Sequence, residues 1–181
     1  MQTNNKMDNI NKYTTHDSHP GKGFVVGIIP ASKKDYSVIL EIQKKAFRSE
    51  AELYQNFNIQ PLIQTLDEME EECRKKTVLK AIVDGKIVGS IRANIHEKVC
   101  WVNKLVVLPD FQRKGIGKKL LTGIETYFPD AIKFTLATGT KSESNIRLYK
   151  KVGYEVTGYE TFHDGVEAVV MEKGNGHPLT P

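Results

Sequence analysis

Residues 112–119, QRKGIGKK, place Gly115 and Gly117 among the cations Arg113, Lys114, Lys118 and Lys119, just after the apolar run VVLP ends at Pro109. A helix begins there, and each glycine in a helix costs roughly 1 kcal/mol against alanine. The bare backbone must therefore serve another purpose. The first N–H groups of a helix have no intrahelical partner, and the aligned peptide dipoles add partial positive charge at that end. An anion such as pyrophosphate can settle there when no side chain intervenes, which is what glycine allows. The segment reads as a phosphate cradle, against the plainer alternative of a glycine loop with solvated lysines.

Two common cradles are excluded by position. A P-loop needs glycine where Gln112 stands and a hydroxyl residue where Lys119 stands. A dinucleotide fingerprint needs a third glycine where Leu120 stands. The phosphate cradle is of another kind.

The segment VVLPDFQRKGIG, followed by an amphipathic stretch, resembles the acetyl-coenzyme A signature of the GNAT superfamily of N-acetyltransferases, Q/R-x-x-G-x-G/A. Downstream, SESNIRLYKKVGY resembles that family's second cofactor segment, a helix ending in Leu-Tyr and followed by glycine and an aromatic. The resemblance implies that Gln112, Arg113, Lys114, Gly115, Ile116 and Gly117 hold the pyrophosphate, mainly through backbone N–H groups, with Lys118 close by. It implies that Leu105, Val106 and Val107 offer strand backbone to the pantetheine arm, which hydrogen-bonds like a short peptide. Asn145 and Tyr149 then lie beside the thioester end. Many members carry Asn seven positions before the Tyr, where this chain has Ser142. Whether Ser142 or Asn145 makes the amide contact stays open.

Moving an acetyl group from a thioester to an amine needs a neutral amine, a donor for the oxyanion and a proton for the departing thiolate. Tyr149 suits the last task, since a phenol donates and still packs as an aromatic; the alternative is a core tyrosine bonded to a carbonyl. A backbone N–H between Leu105 and Val107 suits the second. For the base, some relatives use a glutamate on the strand before the glycine turn, but Trp101 stands at that position. Glu97, His163 and a water chain remain as candidates, with Glu97 the nearest carboxylate. Cys100 in an apolar strand and Cys73 among glutamates do not favour a thiolate, so direct transfer in a ternary complex is expected rather than an acyl-cysteine route. His16, His19, His96, His163 and His177 show no ligand spacing, so no metal is expected.

The elements that must position these groups follow from periodicity. Residues 33–48 and 61–75 repeat apolar side chains at helical spacing, with Ser32 an N-cap and Pro61 a helix opener. The period then falls to two over 77–95, two strands joined by Asp84-Gly85, a strong hairpin turn. A strand over 99–108 follows a turn at 96–98. Beyond the glycines, Ile116, Leu120, Leu121, Ile124 and Phe128 mark a helix. A strand over 132–138, a helix over 142–153 and a final hairpin turning at Asp164-Gly165 complete the order. That order also matches the family, and an α+β fold is expected: a mixed, mostly antiparallel sheet flanked by helices, splayed after the 99–108 strand to form the acetyl-CoA cleft. One N-acetyltransferase domain over 24–173 is expected, between a polar N-terminal arm over 1–23 and a short tail over 174–181.

Composition sets the outer limits. The chain has 181 residues, 27% charged and 39% hydrophobic, a globular profile of domain size. The net charge of +4 is too mild for a basic stripe, so no nucleic acid is expected. No apolar run approaches the roughly 20 residues that span a bilayer, so no membrane contact is expected. Two cysteines without CxxC spacing suggest a reducing, cytoplasmic setting. Around the acceptor, Tyr54, Phe57 and the acids Glu70, Glu71 and Glu72 would favour a cationic amine of a small molecule or peptide; a solvated acidic helix face is the plainer account. A monomer or homodimer is expected. A non-catalytic acetyl-CoA sensor is the alternative function.

Overall fold

A computed structural model describes residues 25–176. The arm expected over 1–23 lies outside the described residues, as does the end of the tail, 177–181. The elements run β1 (Gly27–Pro30), α1 (Tyr36–Tyr54), α2 (Gln60–Ile63), α3 (Leu66–Cys73), β2 (Thr77–Val83), β3 (Lys86–His96), β4 (Val99–Val107), α4 (Ile116–Glu125), β5 (Lys133–Gly139), α5 (Glu143–Lys151), β6 (Glu155–Thr161) and β7 (Glu167–Gly174). The strands form one seven-stranded sheet in the order β1-β2-β3-β4-β5-β7-β6. All neighbours are antiparallel except β4 and β5.

The hairpin turns obey their local chemistry. Asp84 and Gly85 both take left-handed φ, +48° and +74°, the pairing that matches strand twist in a two-residue turn. Glu97 and Lys98 do the same at +46° and +62° without a glycine.

Two helical spans differ from the periodicity. The first continues past 48 to Tyr54, because Ala51 is fully buried and packs with Ile59 and Val166, with Phe47 and Tyr54 beside them. The second is broken into α2 and α3 rather than continuous over 61–75. Thr65 accepts a hydrogen bond from the Glu68 N–H at 3.3 Å, and the Glu68 carboxylate accepts from the Thr65 N–H at 2.8 Å. This reciprocal cap starts a new helix and overrides the apolar pattern that runs through it.

One sheet face packs on α4 and α5, with Leu79, Ile91, Leu120, Leu121, Ile124 and Phe134 at its centre. The other face carries α1 to α3 over two smaller clusters. A polar network bolts those helices down. Buried Arg92 donates to Glu72 at 2.9 Å and to Gln43 at 2.8 Å, and Gln43 donates to Gln64 at 2.9 Å. Gln64 in turn donates to Glu72 at 2.7 Å.

Candidate active site

The site begins with a fault in the β3–β4 ladder. Ser90 pairs with Val106 and Arg92 with Asn103, so Lys104 and Leu105 together oppose Ile91. This is a β-bulge, and Lys104 takes a left-handed φ of +51°, the conformation of the first residue in one bulge type. An extra residue reverses the alternation of side chains along the strand. Cys100 and Val102 before the bulge, and Leu105 and Val107 after it, all pack into the α4-side cluster. Asn103 and Lys104 therefore both face the α1–α3 side: Asn103 accepts from Lys76 at 3.3 Å, while Lys104 bonds the Gln60 side-chain oxygen and lies 5.9 Å from the centre of the Phe47 ring.

The strand also leaves its neighbour. Only Val99–Trp101 pair with Lys133–Thr135, so from Val102 onward β4 parts from β5. Leu105, Val106 and Val107 thus border an opening in the sheet, with one backbone edge turned to it. On the other edge β3 comes close: a Cβ on Gly89 would meet the Val106 carbonyl at 2.7 Å.

The glycine turn stands at the end of that opening. Pro109–Phe111 form a single tight helical turn, and the Gln112 side chain donates back to the Val107 carbonyl at 3.1 Å, fixing the turn to the strand. Arg113 takes φ +59° and Gly115 φ +80°, the latter at the N-cap of α4 with open space where a Cβ would stand. Lys119 N–H bonds the Gly115 carbonyl at 3.0 Å, so the N–H groups of Ile116, Gly117 and Lys118 precede the first helical bond. Ile116 is buried in the core and can offer only its backbone. A Cβ on Gly117 would lie 3.1 Å from the Leu148 side chain, so this glycine also makes room for α5. Arg113, Lys114 and Lys118 are exposed around the turn. Bare N–H groups, a helix N-terminus and surrounding cations suit a pyrophosphate.

On α5, Ser142, Asn145 and Tyr149 follow one another along a face. Ser142 donates its hydroxyl to the Glu50 carboxylate, and Asn145 donates its amide to the same group at 3.2 Å. Tyr149 is buried, with its ring centre 6.2 Å from that of Tyr154. Burial, and secondarily the charge of Glu50, push the Tyr149 phenol well above its ordinary range, so it keeps its proton. Tyr154 is held apart from this chemistry, donating to Glu125 at 2.9 Å. Beyond them, Tyr54 leans over Gly139 and its hydroxyl accepts from the Lys141 N–H at 2.6 Å. An open depression of about 250 Å³ lies there, lined by Tyr54, Asn56, Lys141, Asp164 and Glu167 among others. Asn56 donates to the Asp164 carbonyl at 3.0 Å, tying the end of α1 to the last hairpin.

The remaining candidates are exposed, buried or paired. Glu97 is exposed in the β3–β4 turn, its carboxylate 3.8 Å from His96. At about 3.3 Å per residue, β4 separates it from Leu105 by roughly 25 Å. Its partner is the adjacent His96. His163 is exposed in the last hairpin. Cys100 is fully buried, which pushes its thiol up to about 12, and burial raises Cys73 as well, so both favour the thiol. Among the described residues no cluster of three or more His, Cys, Asp or Glu could hold a metal. The acids of α3 divide: Glu70 pairs with Lys33 at 2.8 Å and Glu71 with Arg74 at 2.7 Å, whereas Glu72 turns inward to Arg92 and Lys76. No helix among the described residues is long and apolar enough to cross a membrane.

Glu50 and Lys104 were not among the residues that the sequence marks. Glu50 shares a helical face with Phe47 and Tyr54, a signal visible only once α1 is carried beyond residue 48. The bulge that turns Lys104 carries no glycine or asparagine to announce it.

Residues 43–174 match the family model described as an acetyltransferase (GNAT) domain. The chain is 24% identical over 116 residues to the uncharacterized protein YyaT of Bacillus subtilis (strain 168), which covers 63% of this chain and 74% of that protein. The fold superposes on the PaiA N-acetyltransferase of Thermoplasma acidophilum in complex with coenzyme A with a TM-score of 0.69, at 18% identity, covering 82% of this chain and 98% of that one. It superposes on the ribosomal-protein-S18-alanine N-acetyltransferase of Escherichia coli with a TM-score of 0.69, at 16% identity, covering 86% and 99%.

Proposed function

The chain belongs to the GNAT acetyltransferases, and on that footing we propose that it moves the acetyl group of acetyl-CoA directly onto a primary amine of a small molecule or peptide within a ternary complex. The observation that carries this is the parting of β4 from β5 after three residue pairs, beside a helix N-terminus stripped of side chains. The opening suits an extended pantetheine arm on Leu105–Val107, and the turn from Gln112 to Lys118 suits the pyrophosphate.

In the transfer, the amine nitrogen bonds the thioester carbon, a backbone N–H of the bulged strand bonds the developing oxyanion, and the carbon–sulfur bond breaks. Tyr149 keeps its proton over the working pH range and donates a hydrogen bond to the departing sulfur. Glu50 holds Asn145 and Ser142 in place at the start of α5. With Glu97 and His163 in exposed turns, we assign removal of the amine's proton to water in the depression rimmed by Asp164 and Glu167.

Free-thiol release with a panel of primary amines tests this, with acetyl-CoA binding measured by calorimetry alongside. Release with at least one amine class is expected. Binding without release across the panel would make the domain an acetyl-CoA-responsive module instead, and no binding would remove both.

A further inference from the structure

Most lysines that the fold draws in from solvent have a carboxylate partner. Lys76 pairs with Glu72, Lys80 with Asp35, Lys133 with Glu172 and Lys173 with Glu125, at 2.6 to 2.8 Å. Among the described residues Lys119, beside the glycine turn, has none, and neither does Lys104. Lys104 has the neutral oxygen of Gln60 and the face of Phe47.

Its wider surroundings are positive too. Arg92 and Lys76 share the single carboxylate of Glu72, so with Lys104 three cations gather near two anions, Glu72 and Asp164. Burial, with Arg92 and Lys76 adding repulsion, brings the Lys104 ammonium down to about 8 despite the opposing pull of Glu72 and Asp164. A half-buried charge with no ion-pair partner gains when a ligand supplies a counter-ion. The bulge places this cation where β4 leaves β5, on the face covered by α1 and α2. Asp164, whose charge acts on Lys104, lines the depression together with Glu167.

We propose that the acceptor is an amine that also bears a carboxylate, and that Lys104 binds this carboxylate while the amine is presented to the cleft. The inference rests on the acetyl-transfer function above and narrows it. Amino acids and their peptide-like derivatives fit; a polyamine or an aminoglycoside brings only positive charge to Lys104 and is disfavoured. A lysine present only to stack on Phe47 would make no such distinction.

The test uses matched amines, lysine against cadaverine and tyrosine against tyramine, each titrated into the coenzyme A-saturated protein by calorimetry. The same pairs are then run as acceptors with KM and kcat resolved. In the wild type the carboxylated member of at least one pair should bind about tenfold more tightly or better. Lys104→Met should abolish that preference through the Kd and KM of the carboxylated member, and Lys104→Arg should retain it. Equal or weaker binding of the carboxylated member in both pairs overturns the proposal, as does a preference that survives in Lys104→Met. If coenzyme A itself fails to bind, acetyl transfer is refuted and this inference with it. Coenzyme A binding with a preference for the decarboxylated amines removes this inference alone.

Discussion

Asn145 on α5 donates its side-chain amide to Glu50 on α1 at 3.2 Å, a contact between residues 95 positions apart. Ser142 donates to the same carboxylate, so one acid fixes two side chains of the segment expected to meet the cosubstrate. With its amide nitrogen committed, Asn145 has its carbonyl oxygen to offer elsewhere.

Removing the shared acceptor should loosen both. Glu50→Ala is expected to weaken acetyl-CoA binding severalfold and to cost about 1–3 kcal/mol of stability, because buried Ser142 loses its partner. Glu50→Gln, which keeps one acceptor oxygen, should fall between. Calorimetry and chemical denaturation on the same preparations check this; unchanged binding in Glu50→Ala would show that the arrangement of α5 does not depend on α1.

Tyr149→Phe keeps the ring and removes the hydroxyl. If the hydroxyl serves the departing sulfur, kcat and kcat/KM should fall together by about 10²-fold, with cosubstrate affinity nearly constant. A value of kcat within threefold of wild type, at saturating acetyl-CoA, would leave Tyr149 a packing residue.

Gly117→Val should lower acetyl-CoA affinity by about tenfold or more, since a side chain then enters the pyrophosphate approach. The same change presses on Leu148, so Gly117→Val is paired with Leu148→Ala, which makes room for it. Affinity should stay low in the double variant while melting temperature recovers. Recovery of both would show that α5 packing, not the phosphate path, had been damaged.

The inward-facing Glu72 gives a pH signature. Burial opposes its charge, but the Lys76 hydrogen bond and the Arg92 charge outweigh it and hold the carboxyl below its usual range. A depressed carboxyl contributes stability that is fully present above its unfolded pKa and is lost as pH falls through the folded value. Stability of the wild type should therefore drop below about pH 4.5, and the drop should be shallower in Glu72→Gln. At neutral pH the same variant should be less stable, since Arg92 remains buried without its counter-ion. Parallel acid limbs would show that Glu72 does not contribute to the acid transition.

What could be read from the chain was what short-range chemistry determines. Asp84-Gly85 announces its hairpin because few other pairs take two left-handed residues in succession, and Gly115 announces the helix start for a related reason. Tyr149 stood out through family resemblance rather than from any property of its neighbours in sequence. The break between α2 and α3 was legible in Thr65 and Glu68, yet a continuous apolar stripe hid it. Glu97 is close in sequence to β4, and its turn leaves it exposed at the opposite end of that strand from Leu105. Glu50 meets Asn145 only because α1 and α5 dock at one end of the cleft, and Lys104 turns inward only because a bulge falls where nothing local marks it. Such contacts belong to tertiary packing, which spacing along a chain does not encode.

The three-residue ladder between β4 and β5 has a consequence for how the molecule behaves without its cosubstrate. Beyond Trp101 the sheet contains two facing strand rims inside one domain, and unpaired rims invite other strands. An arm lying along Leu105–Val107 would act as a removable eighth strand, closing the seam between the two half-sheets. Amide hydrogens along that rim should then exchange quickly in the empty protein and slow when coenzyme A arrives. The protein's solubility on storage should track the same occupancy.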